Sequence, residues 1–201
     1  MDAVRVALLR EVLAGSEWLP ATRRFAASLR AAVQTHGGGL LLVGTREYEP
    51  WHLAAHLDDE AAWSGRPELS PTLVRHRVPY AAPAHLAVDL SRLEAAGRGQ
   101  TVLVVAPGEP GGGLLERVSD ARRGGATVLA IDGPRELTSL AHETLAADPA
   151  GGVDLDTVQH LVSAAAGETA DPAPPPRARR RFTDRLARLA EQLAAPPPPR
   201  W

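Results

Sequence analysis

His52 and His56 lie four residues apart in Trp51-His52-Leu53-Ala54-Ala55-His56-Leu57, a stretch whose pattern predicts a helix over about 50–63. Residues at i and i+4 share one helix face, so both imidazoles point the same way. That is a two-ligand spacing for zinc, which neutral imidazole suits well. The same spacing also fits two histidines that line a cleft or a subunit interface and are satisfied by hydrogen bonds. A second set, Gly44, Thr45, Arg46, Glu47, Tyr48 and Glu49, follows the apolar run Leu40–Val43. Ligands of open α/β sheets bind in such a loop at the strand's carboxyl end. Arg46 offers a fork for phosphate or carboxylate there; an exposed charged loop reads equally well. The third candidate, Pro107-Gly108-Glu109-Pro110-Gly111-Gly112-Gly113, follows the run Thr101–Ala106. Its glycines permit close backbone approach to an anion ahead of a helix, or serve plain turns. It has no Ser, Thr, Lys or Arg, and Glu109 opposes a phosphate. Asp132-Gly133 ends a further strand, where a sugar contact and an ordinary turn are both open readings. His142 and Glu143, near the last strand, have no partner that the sequence names.

Composition removes whole classes of chemistry. The chain has no Cys, so thiolate catalysis and disulfides are out. All 22 basic residues are Arg. Without Lys there is neither a Schiff base nor a phosphate-loop lysine, and G-x-x-x-x-G-K-[ST] is unmatched. No apolar run approaches the roughly 20 residues of a membrane span, and the start of the chain is amphipathic. A soluble cytoplasmic protein is expected, with no membrane partner. No basic patch with interleaved aromatics occurs in the body of the chain, so direct nucleic-acid recognition is not expected.

The elements that must position these residues are legible from periodicity. Val4, Leu8, Leu9 and Val12 mark a helix over Ala3–Leu13. After a break at Gly15-Ser16 and Pro20, Phe25, Leu29, Ala32 and Val33 mark a second helix that stops at Gly37. Strand 40–43, helix 50–63, a strand over 72–78 and a helix over 83–96 come next. The series then continues as strand 101–106, helix 113–123, strand 127–131, helix 135–142, a short strand near 144–147 and helix 155–166. Continuous apolar strands alternating with helices predict a parallel sheet covered on both faces, a three-layer α/β sandwich of flavodoxin or Rossmann type. A helical hairpin precedes it and an extra helix follows. The 44% hydrophobic content suffices for such a core. Residues 168–176 read as a Pro-rich linker. Residues 177–201 read as an amphipathic helix with Phe182, Leu186, Leu189 and Leu193 on one face. The segment 168–201 carries seven Arg against four acids, while the whole chain has a net charge of −2. Its arginine run reads as a solvated face, or as a docking element for an acidic protein surface or an oligomer interface.

Over roughly residues 20–167 the order of these words resembles the sugar isomerase (SIS) domain, and within it the phosphoheptose isomerase branch. Residues 38–44 followed by 51–57 look like that branch's first strand, phosphate loop and "HFAEEL"-like helix. Arg66-Pro67-Glu68-Leu69 looks like its "RP-x-L". Residues 97–106 and 121–133 resemble "GDVLLGIS" and "A-x-x-x-G-x-x-V-I-x-L-T-G". Asp154–Val162, with Gln159-His160-Leu161, resembles its last helix. The resemblance implies a five-stranded parallel sheet, and N-terminal helices that mediate homodimers or homotetramers. It implies a phosphosugar ligand near Gly44, Thr45, Arg46, Glu47, Gly108 and Gly111. It also implies an acid–base pair, which is not intact here. The Glu position falls on His56; the last helix offers His160 as the candidate partner, while the family's catalytic His would fall among residues 164–167. A zinc site on His52, His56 and Gln159, with His160 as the alternative third group, is implied as well. The departures fall on the chemistry. Ala106–Gly111 lacks the family's phosphate-gripping hydroxyls, and His56 stands where the isomerases carry Glu. The expectation is therefore a non-catalytic, homo-oligomeric phosphosugar-binding or regulatory module without a cofactor. The alternative is an aldose–ketose phosphosugar isomerase with a rebuilt, zinc-containing site.

Overall fold

The computed structural model describes residues 9–36 and 38–168, which make one compact unit. The beginning of the first expected helix, the linker beyond residue 168 and the arginine-rich helix 177–201 lie outside the described residues. After a helical turn at 9–12, Gly15 takes a left-handed φ of 81° and breaks the chain direction. Helix α1 then spans Trp18–His36. Pro20 sits inside its first turn rather than before it, because an N–H there has no partner within the helix in any case.

Five strands follow: β1 (Leu40–Val43), β2 (Pro71–Val74), β3 (Thr101–Val105), β4 (Thr127–Ile131) and β5 (Glu143–Leu145). All pair in parallel, in the order β2-β1-β3-β4-β5. The expected α/β class and covered parallel sheet are both present. Period-two alternation splits the strand residues between two cores. Leu40, Leu42, Leu103, Val105, Leu129 and Ile131 pack with Phe25, Leu29 and Val33 of α1, and with helices α2 (Trp51–Ser64) and α6 (Leu155–Gly167). Leu41, Val43, Val102, Val104, Val128 and Ala130 pack on the other face. Their neighbours there are Leu93 of the short α3 (Ser91–Glu94), α4 (Gly112–Arg123) and Leu137 of α5 (Arg135–Leu140). The central strands β1, β3 and β4 are almost wholly apolar because each of their faces meets a helix layer, whereas the edge strands β2 and β5 carry partly exposed polar residues.

The structure corrects the helix expected over 83–96. That segment is a 3-10 turn at Ala84–Leu86 and the four-residue α3. Its middle is extended: Arg75 N–H donates to Val88 O at 2.9 Å and Arg75 bridges Asp89 in parallel. Helical backbone cannot make that pairing, and Leu86, at 40% exposure, has no core to enter. The same exchange shortens the expected strand 72–78, which ends at Val74.

The sheet order reverses direction between β1 and β3, so the loops after these strands diverge and leave a crevice at the carboxyl edge. The N-terminal turns of α2 and α6 stand side by side at that edge, on one face of the sheet.

A three-histidine crevice between two helix starts

The loop from β1 to α2 is held by close approach. A Cβ on Gly44 would fall on the carbonyl oxygen of Tyr48 and against Pro50, so only glycine lets the chain double back here. Thr45 is buried, and its Oγ1 accepts the Tyr48 N–H at 3.1 Å. His76 Nε2 meets Gly44 O at 3.0 Å from β2's side. Arg75 forks onto Glu49, with Nε and an Nη each 2.9 Å from a carboxylate oxygen. The chain then enters α2 through Pro50, with His52 in the first turn.

On α6, Asp154 caps the helix by accepting the Thr157 N–H at 2.8 Å. Asp156 follows in the first turn, where the helix dipole favours a carboxylate. Gln159 and His160 lie three and four residues further, on the same face as Asp156. Packing α2 against α6 brings the two faces together. His52, His56 and His160 form one cluster whose candidate ligand atoms all lie within 4.8 Å of one another. The ring of His56 stands 4.4 Å from that of His52 and 4.6 Å from that of His160, centroid to centroid. The Nε2 atoms of His52 and His56 are 2.9 Å apart.

Electrostatics prepares His56 as a ligand. His56 is 8% exposed, and burial pulls its pKa down to about 4, reinforced by the neighbouring His160 and His52. It is therefore a neutral imidazole at neutral pH, the form that binds metals. Its Nδ1 is buried with no hydrogen-bond partner. Asp156 reaches both other histidines: one carboxylate oxygen lies 3.0 Å from His52 Nδ1, the other 3.4 Å from His160 Nε2. A carboxylate on Nδ1 keeps the proton there and turns the lone pair of His52 Nε2 into the cluster, the arrangement that orients metal-bound histidines. Two nitrogens on a tetrahedral zinc, with bonds of ~2.0–2.1 Å, stand ~3.3 Å apart. The cluster brackets that separation, so its donors fit a zinc-type ion.

A cleft of about 440 Å³ opens beside His52, between the Tyr48–Trp51 segment and the start of α6. Trp51 stands at its rim, 65% exposed. Gln159, buried, donates from Nε2 to the Tyr48 hydroxyl at 2.9 Å and to Leu155 O at 3.2 Å. Burial pushes the Tyr48 phenol up; its hydrogen bond to Gln159 opposes this, and the charge of Asp156 adds to the rise.

The expected site residues therefore separate. His52, His56 and Gln159 meet around the crevice, and His160 supplies the third imidazole. Arg46 and Glu47 are exposed on the loop and do not line the cleft. Gly108 and Glu109 are exposed on the other loop, and Gly111 precedes α4 with a φ of 74° and no side-chain cap. Asp132 takes a left-handed φ of 61° and accepts the Gly133 N–H at 3.0 Å, so it serves the turn. His142 Nδ1 accepts the Val128 N–H at 3.0 Å, which ties it to β4. The site holds one residue that was not expected, Asp156, although it carried a signal: it stands four residues before His160 on a helical face.

No protein-family model matches the chain, and no curated protein matches it in sequence. Among the described residues, no helix is long and apolar enough to cross a membrane.

Proposed function

We propose that this is an SIS-like α/β protein whose crevice holds one zinc-type metal ion on His52, His56 and His160, and that it binds a small polar molecule beside that ion without isomerase chemistry. The observation that carries the reading is the convergence of three imidazoles from two helices, oriented by Asp156. Three histidines leave a tetrahedral ion one position for an outside ligand, and one of the three, His52, lines the neighbouring cleft. The chain's own groups have defined tasks. His56 supplies a desolvated neutral donor, Asp156 fixes the tautomer of His52, and Gln159 holds Tyr48 against the cleft wall. The isomerases that the sequence resembles use a glutamate as base at the helix position that His56 fills, and here the carboxylate touching the cluster, Asp156, is engaged by two histidines.

Metal analysis of the purified protein after zinc loading and desalting tests the reading. One zinc per chain is expected, with His56→Ala and His160→Ala each near zero. Substoichiometric zinc that is unchanged in both variants would sink it.

A second reading retains catalysis, with His56 and His160 as the acid–base pair of a phosphosugar isomerase. It is favoured by the neutral state of His56 beside His160. Aldose–ketose conversion of phosphosugars, lost in His56→Gln, would establish it. Assembly as a homodimer or homotetramer through the N-terminal helices belongs to the same proposal, as does docking of a protein partner by 177–201. Sedimentation of the full chain and of a chain ending at Gly167 tests both.

A further inference from the structure

Tyr48 and Gln159 form a second polar device in the cleft that His52 lines. Tyr48 is placed by its own backbone. Its N–H donates to the buried Thr45 Oγ1 at 3.1 Å, and its carbonyl oxygen fills the space that a Cβ on Gly44 would need. Gln159 reaches it from α6 and is 2% exposed. Both protons of the Gln159 amide have acceptors: Nε2 lies 2.9 Å from the Tyr48 hydroxyl oxygen and 3.2 Å from Leu155 O. A backbone carbonyl only accepts, so Leu155 O fixes which way round the amide stands.

A phenol has one proton and an oxygen that also accepts. Here the oxygen takes the Gln159 N–H, the shorter contact, and the proton has Gln159 Oε1 in reach at 3.2 Å. Among the described residues the Tyr48 hydroxyl bonds to this amide and to no other group. Two bonds to one planar amide edge cannot both be straight, and hydrogen bonds weaken steeply as they bend. The proton therefore gains by turning to an acceptor in the cleft, while the N–H bond stays in place. Burial pushes the phenol pKa up, so the group keeps that proton at neutral pH. The pair is a preset donor, an oxygen held from α6 with a proton that rotates into the cleft.

We propose that Tyr48 is the recognition donor of the cleft: its O–H bonds an acceptor oxygen of the small molecule bound beside the metal, and Gln159 is the residue that positions it. This rests on the metal reading above. The ligand class is an oxygen ligand of zinc that also carries an acceptor oxygen, as carbonyl, carboxylate and hydroxamate compounds do. The ion's open position takes one oxygen, and Tyr48 sets the direction in which the rest of the molecule lies.

Calorimetry on the zinc-loaded full chain tests this with two zinc ligands. Acetohydroxamate carries acceptor oxygens; N-methylimidazole, once coordinated, offers neither donor nor acceptor. Tyr48→Phe keeps the ring and removes the O–H. It should weaken acetohydroxamate about tenfold, the size of one hydrogen bond, and leave N-methylimidazole within about twofold. Zinc should stay at one per chain. Gln159→Leu should cause the same split, and the double variant should lose no more than either alone. A general loosening of the cleft would instead weaken both probes together. Unchanged acetohydroxamate affinity in Tyr48→Phe would overturn the inference, as would equal loss of both probes or a zinc-loaded wild-type chain that does not bind acetohydroxamate. Zinc lost in Gln159→Leu would put the amide on the metal and overturn its positioning role. Absence of stoichiometric zinc in the wild-type chain would mark the failure of the metal reading itself.

Discussion

The loops after β1 and β3 share one backbone design, a buried apolar strand delivering the chain through glycine into a helix at the crevice. They differ in what they recruit. The β1 loop gathers groups from two other segments: His76 on Gly44 and Arg75 on Glu49 from the chain just after β2, and Gln159 on Tyr48 from α6. The helix it launches meets α6 through His52, Asp156 and His160. The β3 loop gathers almost nothing. Residues 107–109 are exposed, and nothing lies within 4 Å of a Cβ built on Gly108. Chemistry in such a fold thus follows from which loop a second helix covers, and less from the loop's own glycines.

The largest effect is expected in His56→Ala, which removes one of the three candidate metal donors and, on the proposed metal site, should weaken zinc by at least about a hundredfold, more than the loss of an orienting partner does. Competition with a chromophoric chelator reads it. Next comes Gly44→Ala, whose new Cβ meets backbone and cannot be relieved by a rotamer change. It should cost about 3 kcal/mol of unfolding free energy, the upper end for overpacking. Gly108→Ala on the sister loop should stay within about 0.5 kcal/mol, as an open surface site does. Equal denaturation midpoints for the two variants would dissolve the contrast between the loops. Asp156→Asn should lower zinc affinity about 10- to 100-fold with the fold intact, the usual effect of losing a ligand's orienting carboxylate.

A smaller effect is expected from pH. His56 is held near 4 when folded but titrates near 6.5 when unfolded, so the unfolded chain binds more protons between those values. Its contribution to stability is complete above pH 6.5, falls as the pH drops toward 4, and levels off below. Metal-free urea denaturation should show this slope, and His56→Gln should flatten it. The smallest change is expected in Glu109→Gln, which should leave both zinc affinity and melting midpoint at wild-type values. A measurable shift in either would show that the β3 loop takes part in the site.

Legibility followed the range of the interaction. The strands were readable because burial on both faces demands unbroken apolar runs, as in Leu40–Val43 and Thr101–Val105. Helix α2 and the shared face of His52 and His56 follow from local period alone. The segment 83–96 misled because its alanines satisfy helical spacing locally, while the pairing that set its backbone, Arg75 with Val88, is tertiary. Of the site, the pair on α2 was legible. Gln159 and His160 were both eligible as a third group, and neighbours on one helix differ in direction by about 100°, so only packing could choose between them.

The sequence by itself therefore determined the sheet, the helix faces and the chemical inventory: imidazole without thiolate, guanidinium without amine, and a second loop without hydroxyls. Those are consequences of composition and short-range period. Only the tertiary structure decided that His160 joins His52 and His56, that Asp156 orients them, and that Arg75 is committed to Glu49. His52 and Asp156 are 104 residues apart in the chain. Their meeting depends on how α2 and α6 pack over one face of the sheet, which no local pattern encodes.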